Sequence, residues 1–138
     1  MDNNELTGTI PTEIGSLTSL TVLRLSTNHF NGTIPTEIGL LTGLKELNIS
    51  DTDIMGSIPI EIGYLESLET LVIASNDKMN GSIPSEIEFL AQLEYLDVSG
   101  TGLTGTIPGV IGSLSFFSGL NVGKSMLSTN SSLESYFY

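Results

Sequence analysis

The chain has 138 residues, of which 39% are hydrophobic and only 14% are charged, so its length fits one domain with one core. The 16 acidic residues against four basic ones give a net charge of −12, which is the wrong sign for a phosphate backbone and excludes nucleic acid as a partner. The absence of cysteine excludes disulfides and thiolate metal sites, and no apolar run is long enough to span a bilayer.

An Ile-Pro dipeptide recurs along the chain at steps of 24 or 25 residues. Its isoleucines are Ile10, Ile34, Ile58, Ile83 and Ile107. A period in this range indicates a solenoid, in which each coil buries its apolar face against its neighbours. The sequence therefore predicts a single domain of stacked repeats. It comprises a partial first repeat at 2–16, full repeats at 17–40, 41–64, 65–89 and 90–113, and a degenerate C-terminal cap at 114–138.

Apolar and polar residues alternate early in each full repeat, which predicts short strands at 23–25, 47–49, 71–73 and 96–98. Stacked one coil apart, these strands form a parallel sheet whose Leu, Ile and Val side chains point inward. A polar column follows the strands, and we expect it to hydrogen-bond with neighbouring turn backbone. The column consists of Asn28, Thr52, Asn76 and Thr101, with Asn4 before them.

The second half of each repeat predicts a short helical or 3₁₀ turn, because proline suits the first helical position and glutamate the first turn. The one 25-residue repeat carries its additional residue within 76–80, where we expect a surface bulge. The partial first repeat has no predicted strand or cap, so we expect this end to continue N-terminally or to dock on a partner. At the other end we expect an irregular cap of Phe116, Phe117, Leu120, Leu127 and residues 136–138.

The full unit begins at Leu17 with the pattern L-x-x-L-x-x-L-x-L-x-x-N-x-F-x-G-x-I-P-x-x-I-G and recurs from Leu41, Leu65 and Leu90. Over residues 4–122 it resembles plant-type leucine-rich repeats, and its wording is also similar to repeats of diatom proteins. The resemblance implies an α/β solenoid. This is a right-handed leucine-rich-repeat coil with a short parallel concave β-sheet and short helical or 3₁₀ turns on the convex side.

The same resemblance implies a non-enzymatic module for protein recognition or scaffolding. The family includes ectodomains of receptor-like kinases, receptor-like proteins and polygalacturonase-inhibiting proteins, which implies a protein partner and an extracellular or cell-surface location. Met1 is followed by Asp-Asn-Asn-Glu, which does not resemble a secretory leader. We expect the chain to be part of a longer cell-surface or secreted protein.

Motifs that suggest chemistry are chance matches within the repeats. Residues 100–105 spell G-x-G-x-x-G, but a dinucleotide site needs a helix directly after the glycines, and Ile107-Pro108 follows instead. Residues 119–125 are one residue short of a phosphate-binding loop. His29 is the only histidine, and we expect it to point into solvent. The sequence predicts no catalytic residue, no cofactor and no metal site.

Outward positions of the predicted strands differ between repeats, whereas the framework stays constant. Such variation fits recognition of a partner, and drift at solvated positions explains it equally well. We expect the concave contact to be made by Arg24, Asn48, Val72, Tyr95 and Asp97, and the acid surplus favours a basic partner. Tyr95→Ala and Asp97→Lys are expected to weaken binding without loss of folding.

Two alternatives stay open. A column of small hydroxyl residues, one per coil, offers a regular surface for binding ice or polysaccharide. It consists of Thr9, Thr33, Ser57, Ser82 and Thr106. In the other alternative, the chain is a structural accessory subunit of a larger complex. Asn31 and Asn80 begin sequons at one exposed repeat position and are candidate glycosylation sites.

Overall fold

The computed structural model of the chain describes residues 4–128. Within this range each strand has three residues: β1 (Thr7–Thr9), β2 (Val22–Arg24), β3 (His29–Asn31), β4 (Glu46–Asn48), β5 (Thr70–Val72), β6 (Tyr95–Asp97), β7 (Thr104–Thr106), β8 (Gly119–Asn121) and β9 (Met126–Ser128). The 3₁₀ segments between them are η1 (Thr12–Ser16), η2 (Thr36–Leu40), η3 (Ile60–Tyr64), η4 (Ser85–Phe89) and η5 (Gly109–Ser113).

A five-stranded parallel sheet in the order β2-β4-β5-β6-β8 forms one side of the solenoid. Because alternate residues of a strand face opposite sides, the central residue of each strand points into the core and its two neighbours point outward. The predicted strands are confirmed, although each begins one residue earlier than expected. The buried central residues, which lie in register, are Leu23, Leu47, Leu71, Leu96 and Leu120.

The fifth strand of this sheet lies in the C-terminal cap, where the sequence predicted irregular structure. β8 pairs with β6, and its Leu120 is fully buried. The repeat pattern decays after Leu114: Leu120 and Val122 keep the spacing of Leu96 and Val98, but phenylalanine replaces leucine at Phe117 and no Ile-Pro follows. One inward leucine and main-chain bonds to the preceding coil are sufficient to form it, since that coil already supplies a template. The cap residues expected at 136–138 lie outside the described residues.

Short parallel pairings also occur outside the predicted strands. β1 pairs with β3, β7 pairs with β9, and an isolated bridge joins Gly56 to Met79. The glycines of these segments adopt positive φ, for example 95° at Gly8 and 86° at Gly105. β1 corrects the expectation that the partial first repeat has no strand. These pairings are made by backbone between coils, so the exposed side chains carry no pattern that could reveal them.

The polar column behind the sheet bonds turn backbone, as predicted. The side chain of Asn76 is fully buried, and its amide donates to three strand-end carbonyls at 3.0–3.2 Å. Its oxygen accepts from the hydroxyl of Thr52 in the preceding coil at 2.6 Å. Asn28 and Thr101 likewise donate to a carbonyl three residues earlier. Asn76 therefore joins two coils with a single side chain.

The bulge of the 25-residue repeat lies at Asp77 and Lys78, which are both exposed, whereas Met79 returns to the core. The backbone of the bulge packs closely against Gly102 of the following coil. A Cβ atom at Gly102 would lie 2.3 Å from the carbonyl oxygen of Met79 and 2.9 Å from that of Asp77, which no side chain can accommodate without a shift. The additional residue in one repeat therefore depends on a glycine in the next.

The 3₁₀ segments stack on one another along the convex side, as predicted. Proline lies directly before each segment rather than within its first turn, and Pro35 is extended, with φ −69° and ψ 142°. The middle isoleucine of η2 and of η3 is buried in the core. Within residues 4–128 no helix is long and apolar enough to cross a membrane.

Candidate protein-binding face

The structure places the five predicted binding residues on the outward side of the parallel sheet. Arg24, Asn48, Val72 and Asp97 are register partners in adjacent strands and form one column across the sheet. Tyr95 lies in the neighbouring column, two residues before Asp97. Arg24 is exposed and the other four are half-buried. The fold thus brings all five onto one surface, and their role in binding stays a prediction.

Asn121 extends this column by one strand, and sequence reasoning missed it. It is the register partner of Asp97, and its amide donates to Asp97 Oδ2 at 3.0 Å. The residue was missed because β8 was not predicted. The available signal was Leu120, which follows Leu96 by one 24-residue step.

Ion pairs between neighbouring coils cross this face and its edge. The Nε and Nη2 atoms of Arg24 donate to the two carboxylate oxygens of Glu46, each at 2.5 Å, which is the bidentate geometry that suits guanidinium and carboxylate. Lys45 Nζ donates to Glu69 Oε1 at 2.7 Å, and this hydrogen bond, together with the charge of Glu69, raises the pKa of Lys45. Two of the acids that contribute to the net charge of −12 are therefore matched by cations of the preceding coil.

The Asp97 carboxylate is the centre of a hydrogen-bonded cluster. Its Oδ1 accepts from the backbone N–H of Ser99 at 2.9 Å and from the Ser99 hydroxyl at 2.6 Å. Its Oδ2 accepts from the Tyr95 hydroxyl at 3.3 Å and from the Asn121 amide at 3.0 Å. Asp97 thus holds the exit turn of its own strand and orients two neighbours. This arrangement revises the expectation that Asp97→Lys leaves folding intact.

Asn48 and Asn121 repeat the same local turn. In each, the side-chain oxygen accepts the backbone N–H of the residue two positions later, at 3.1 Å. Such turns fix the side chain and the strand exit together. Val72, at the equivalent position of β5, has no polar atom to make this bond. A partner would therefore meet polar side chains that are already ordered, with a single apolar position between them.

The other predicted surface positions are also exposed. Asn31 and Asn80, the candidate glycosylation sites, both lie in solvent. The five members of the hydroxyl column are exposed as well, and the first four each lie against the glycine of the next coil. A Cβ atom at Gly32 would lie 2.9 Å from Thr9 Cγ2, and one at Gly56 would lie 3.0 Å from Thr33 Cγ2. The column is therefore a continuous ladder rather than a set of separate residues.

The edge near the bulge carries a third ion pair. Lys78 Nζ donates to Asp53 Oδ1 at 2.6 Å. This hydrogen bond and the opposite charges lower the pKa of Asp53 and raise that of Lys78. His29 is exposed, as predicted. Within the part of the chain that the structure describes, no group of three or more His, Asp or Glu side chains could hold a metal ion.

Among the residues that the structure describes, the first coil leaves part of the core uncovered. Leu41 and Leu44 of the second full repeat are fully buried, whereas their equivalents Leu17 and Leu20 in the first are exposed and half-buried. An apolar concavity of about 410 Å³ opens at this end. Its lining includes Ile10, Ile14, Leu17, Leu20, Leu23 and Phe30.

Three segments of the chain match the family profile described as Leucine Rich Repeat, at residues 19–41, 43–65 and 92–114, together half of the chain. The comparison with curated protein sequences finds no significant match.

Solved plant proteins are similar to nearly the whole chain. The plant peptide hormone receptor RGFR1 in complex with RGF2 is 35% identical, with a TM-score of 0.89 over 92% of this chain and 20% of the receptor chain. The Arabidopsis receptor kinase HAESA, in complex with the peptide hormone IDA and the co-receptor SERK1, is 34% identical. Its TM-score is 0.86 over 91% of this chain and 21% of the receptor chain. A plant ice-binding protein is 31% identical, with a TM-score of 0.86 over 92% and 41%. The chain spans about a fifth of the length of the two receptor chains.

Proposed function

Because the chain belongs to the leucine-rich repeat family, we propose that it is a non-enzymatic protein-recognition module that binds its partner on the concave sheet. The observation that carries this proposal is the column from Arg24 to Asn121, whose polar side chains are ordered by bonds to one another and to turn backbone. In the similar solved structures, RGFR1 is in complex with RGF2 and HAESA is in complex with the peptide hormone IDA. This supports a peptide or protein as the partner.

The residues of this face contribute different kinds of contact to a partner. Tyr95 and Val72 offer apolar area, whereas Arg24, Asn48 and Asp97 offer polar groups, and Tyr and Arg are residue types that dominate many interfaces. Five strands spaced about 4.8 Å apart make a sheet only about 20 Å tall. The footprint is therefore small, so we expect modest affinity for this chain by itself and tighter binding where further coils extend the face.

A basic partner is part of the proposal, and the net charge of −12 supports it. Glu46 and Glu69 are already matched by cations, so a basic partner would meet mainly the charges of Glu94 and Asp97 at this face. Its association should slow as salt rises, because steering by exposed charges is screened.

Affinity capture from the source, followed by mass spectrometry, tests the proposal with three forms of the chain. Tyr95→Ala and Val72→Lys alter the sheet face without removing a side-chain cap of the strand-exit turn, and Glu13→Ala alters the convex side at the first 3₁₀ segment. We expect the first two to lose the captured partner and Glu13→Ala to retain it. The opposite pattern would move the binding site away from the sheet.

An extracellular location and glycosylation belong to the same proposal. Asn31 and Asn80 are both exposed, which an oligosaccharide acceptor requires. Secretion from a eukaryotic host, with enzymatic removal of glycans, should lower the mass of the wild-type protein. Asn31→Gln and Asn80→Gln should each remove part of that change, and an unchanged mass would argue against both sites.

The uncovered first coil supports the alternative role as an accessory piece of a larger assembly. Its apolar concavity fits a preceding coil or a partner subunit, either of which would bury Leu17 and Leu20. Fusion of a polar capping repeat before Asn4 should raise the unfolding temperature and lower self-association. If the added repeat changes neither the unfolding temperature nor self-association, this apolar concavity does not need to be buried by another coil or subunit.

Ice binding by the hydroxyl ladder is the second candidate function. Its support is the continuous exposed column and the similarity to a plant ice-binding protein. The purified chain should then show thermal hysteresis, and Ser57→Tyr at the centre of the ladder should abolish it. Absence of hysteresis at millimolar concentration removes this candidate and leaves protein recognition untouched.

A further inference from the structure

The convex side of the solenoid carries an exposed row of large apolar side chains. The last residue of each 3₁₀ segment occupies the same repeat position, and the occupants are Ser16, Leu40, Tyr64, Phe89 and Ser113. Leu40, Tyr64 and Phe89, hereafter the apolar row, are 57%, 60% and 56% exposed. These side chains belong to three consecutive coils, so they form one strip rather than scattered residues.

The fold does not require these side chains. The position is serine in the first and last segments, which shows that a small polar residue fits there. The core of each coil is filled instead by the next residue along the chain, such as the fully buried Leu41 and Leu65. A contiguous apolar strip that folding does not need is typical of an interaction surface.

The apolar row is seated on the preceding coils. A Cβ atom at Gly15 would lie 2.9 Å from Leu40 Cδ1, and one at Gly39 would lie 3.1 Å from Tyr64 Cδ2. Leu40 and Tyr64 therefore lie along the surface over glycines, and they cover the backbone of the neighbouring coil. The result is a low strip along the solenoid axis rather than a set of projecting groups.

A row of glutamates runs beside this strip. Glu37, Glu61 and Glu86, hereafter the acidic row, occupy the second position of the same segments. The Cβ atoms of Glu37 and Glu61 approach the same two glycines that Leu40 and Tyr64 cover, at 3.0 and 2.9 Å from a Cβ built there. The two rows are thus immediate neighbours, in step along the axis.

The acidic row has no cation to match it. The salt bridges among residues 4–128 join Arg24 to Glu46, Lys45 to Glu69 and Lys78 to Asp53, and none reaches the convex segments. Glu37 and Glu86 accept only from the hydroxyls of the residues before them, at 3.3 and 3.2 Å. The strip is therefore apolar along one side and negatively charged along the other.

We propose that the apolar row and the acidic row together form a docking surface for a basic amphipathic segment of another protein. Aliphatic or aromatic side chains of that segment cover the apolar row, and its Lys or Arg side chains pair with the glutamates. A second copy of this chain is a poor occupant, because it would bring two unmatched acidic rows together at a net charge of −12 each. This surface is separate from the concave sheet, so it can be present whichever way the sheet proposal is decided.

The test uses a fluorescent amphipathic peptide of Leu and Lys as the probe and the whole chain as the receptor. The triple variant Leu40→Ser, Tyr64→Ser, Phe89→Ser adopts the residue that the first and last segments already carry. We expect it to bind at least about tenfold more weakly than wild type. Glu37→Gln, Glu61→Gln, Glu86→Gln should reduce both the affinity and its salt dependence, whereas Asp77→Asn, which removes an exposed acid of the bulge, should bind the probe as wild type does.

Two control peptides and one physical measurement complete the design. A peptide of Lys alone and an amphipathic peptide of Leu and Glu should both bind weakly, because each lacks one of the two features. Equal binding of the Lys peptide, or unchanged binding by the triple serine variant, overturns the proposal. Sedimentation that shows a wild-type dimer and a monomeric serine variant also overturns it, in favour of a second copy. If the triple variant does not fold, the single variant Phe89→Ser decides the same question.

Discussion

The concave and convex faces repeat with the same period and both carry acidic side chains. The carboxylates of the two faces differ in how many hydrogen-bond and ion-pair partners they have. On the concave side and its edge, Glu46 and Glu69 are matched by cations of neighbouring coils, and Asp97 is held by four hydrogen bonds. On the convex side, Glu37 and Glu86 accept, among residues 4–128, only from the adjacent hydroxyl. Net charge therefore says how much acid a solenoid carries, whereas the register of its coils decides which acids stay available to a partner.

The largest expected effect concerns Asn76, which lies between the two faces and ties one coil to the next. Asn76→Leu removes three donated bonds and leaves the backbone N–H of Thr52 without its acceptor, while the Thr52 hydroxyl keeps only the carbonyl of Ile49 at 3.2 Å. We expect a loss of about 4 kcal/mol in the free energy of unfolding, measured with urea. Both faces should lose order together, because their side chains are positioned by the same stack of coils.

Thr101→Val is the matched control for this prediction. Thr101 occupies the same column but donates a single bond, to the carbonyl of Val98 at 2.7 Å, within its own coil. Its loss should cost about 1 kcal/mol. Equal losses of unfolding free energy in the two variants would contradict the view that Asn76 ties neighbouring coils together. The order of the two faces would then have to depend on other contacts between coils.

The next effect compares charge reversal on the two faces directly. Asp97→Lys removes the acceptor of the Ser99 N–H and separates Tyr95 from Asn121, so we expect a loss of about 2 kcal/mol in the free energy of unfolding. Glu86→Lys reverses a charge whose only acceptor role is toward the Ser85 hydroxyl, so we expect a change within about 0.5 kcal/mol. Chemical unfolding of both variants at one ionic strength measures the difference. Similar costs would mean that the two faces do not differ in how their acids are used.

Much of this fold follows from the sequence because burial dictates it. A leucine such as Leu71 must point inward in every coil, so the period, the strands and the 3₁₀ turns could all be predicted. β8 was not predicted, although Leu120 and Val122 alternate around Asn121, because the rest of the repeat pattern decays after Leu114. The tolerance of the bulge at Asp77 depends on Gly102 in another coil, a relation that a local pattern does not show.

The candidate sites were predictable only in part. Alternation placed Arg24 and Asp97 on one face, since the direction of a side chain in a strand is a local property. The hydrogen bonds of Asp97 were not predictable, because Asn121 lies 24 residues away and meets it only through the register of two coils. The apolar row escaped attention for a different reason: each member looks like an ordinary repeat residue, and only the exposure of three in succession distinguishes it.

The smallest expected effect concerns the pair of Asp53 and Lys78, at the edge between the faces. The hydrogen bond from Lys78 lowers the pKa of Asp53, so this contribution to stability is present above the unfolded pKa and fades as the pH falls through the lowered folded value, below about pH 4. The same bond raises the pKa of Lys78, so its contribution is present below the unfolded pKa and is lost only above about pH 10.

Thermal unfolding of wild type and Lys78→Gln should therefore differ by a small constant amount from pH 5 to pH 9, and the difference should shrink toward pH 3. Asp53→Asn should give the same curve as Lys78→Gln, because either change removes the pair. A difference that persists undiminished at pH 3 would show that Lys78 stabilises the edge by packing, and the contrast between matched and unmatched acids would then rest on Glu46, Glu69 and Asp97.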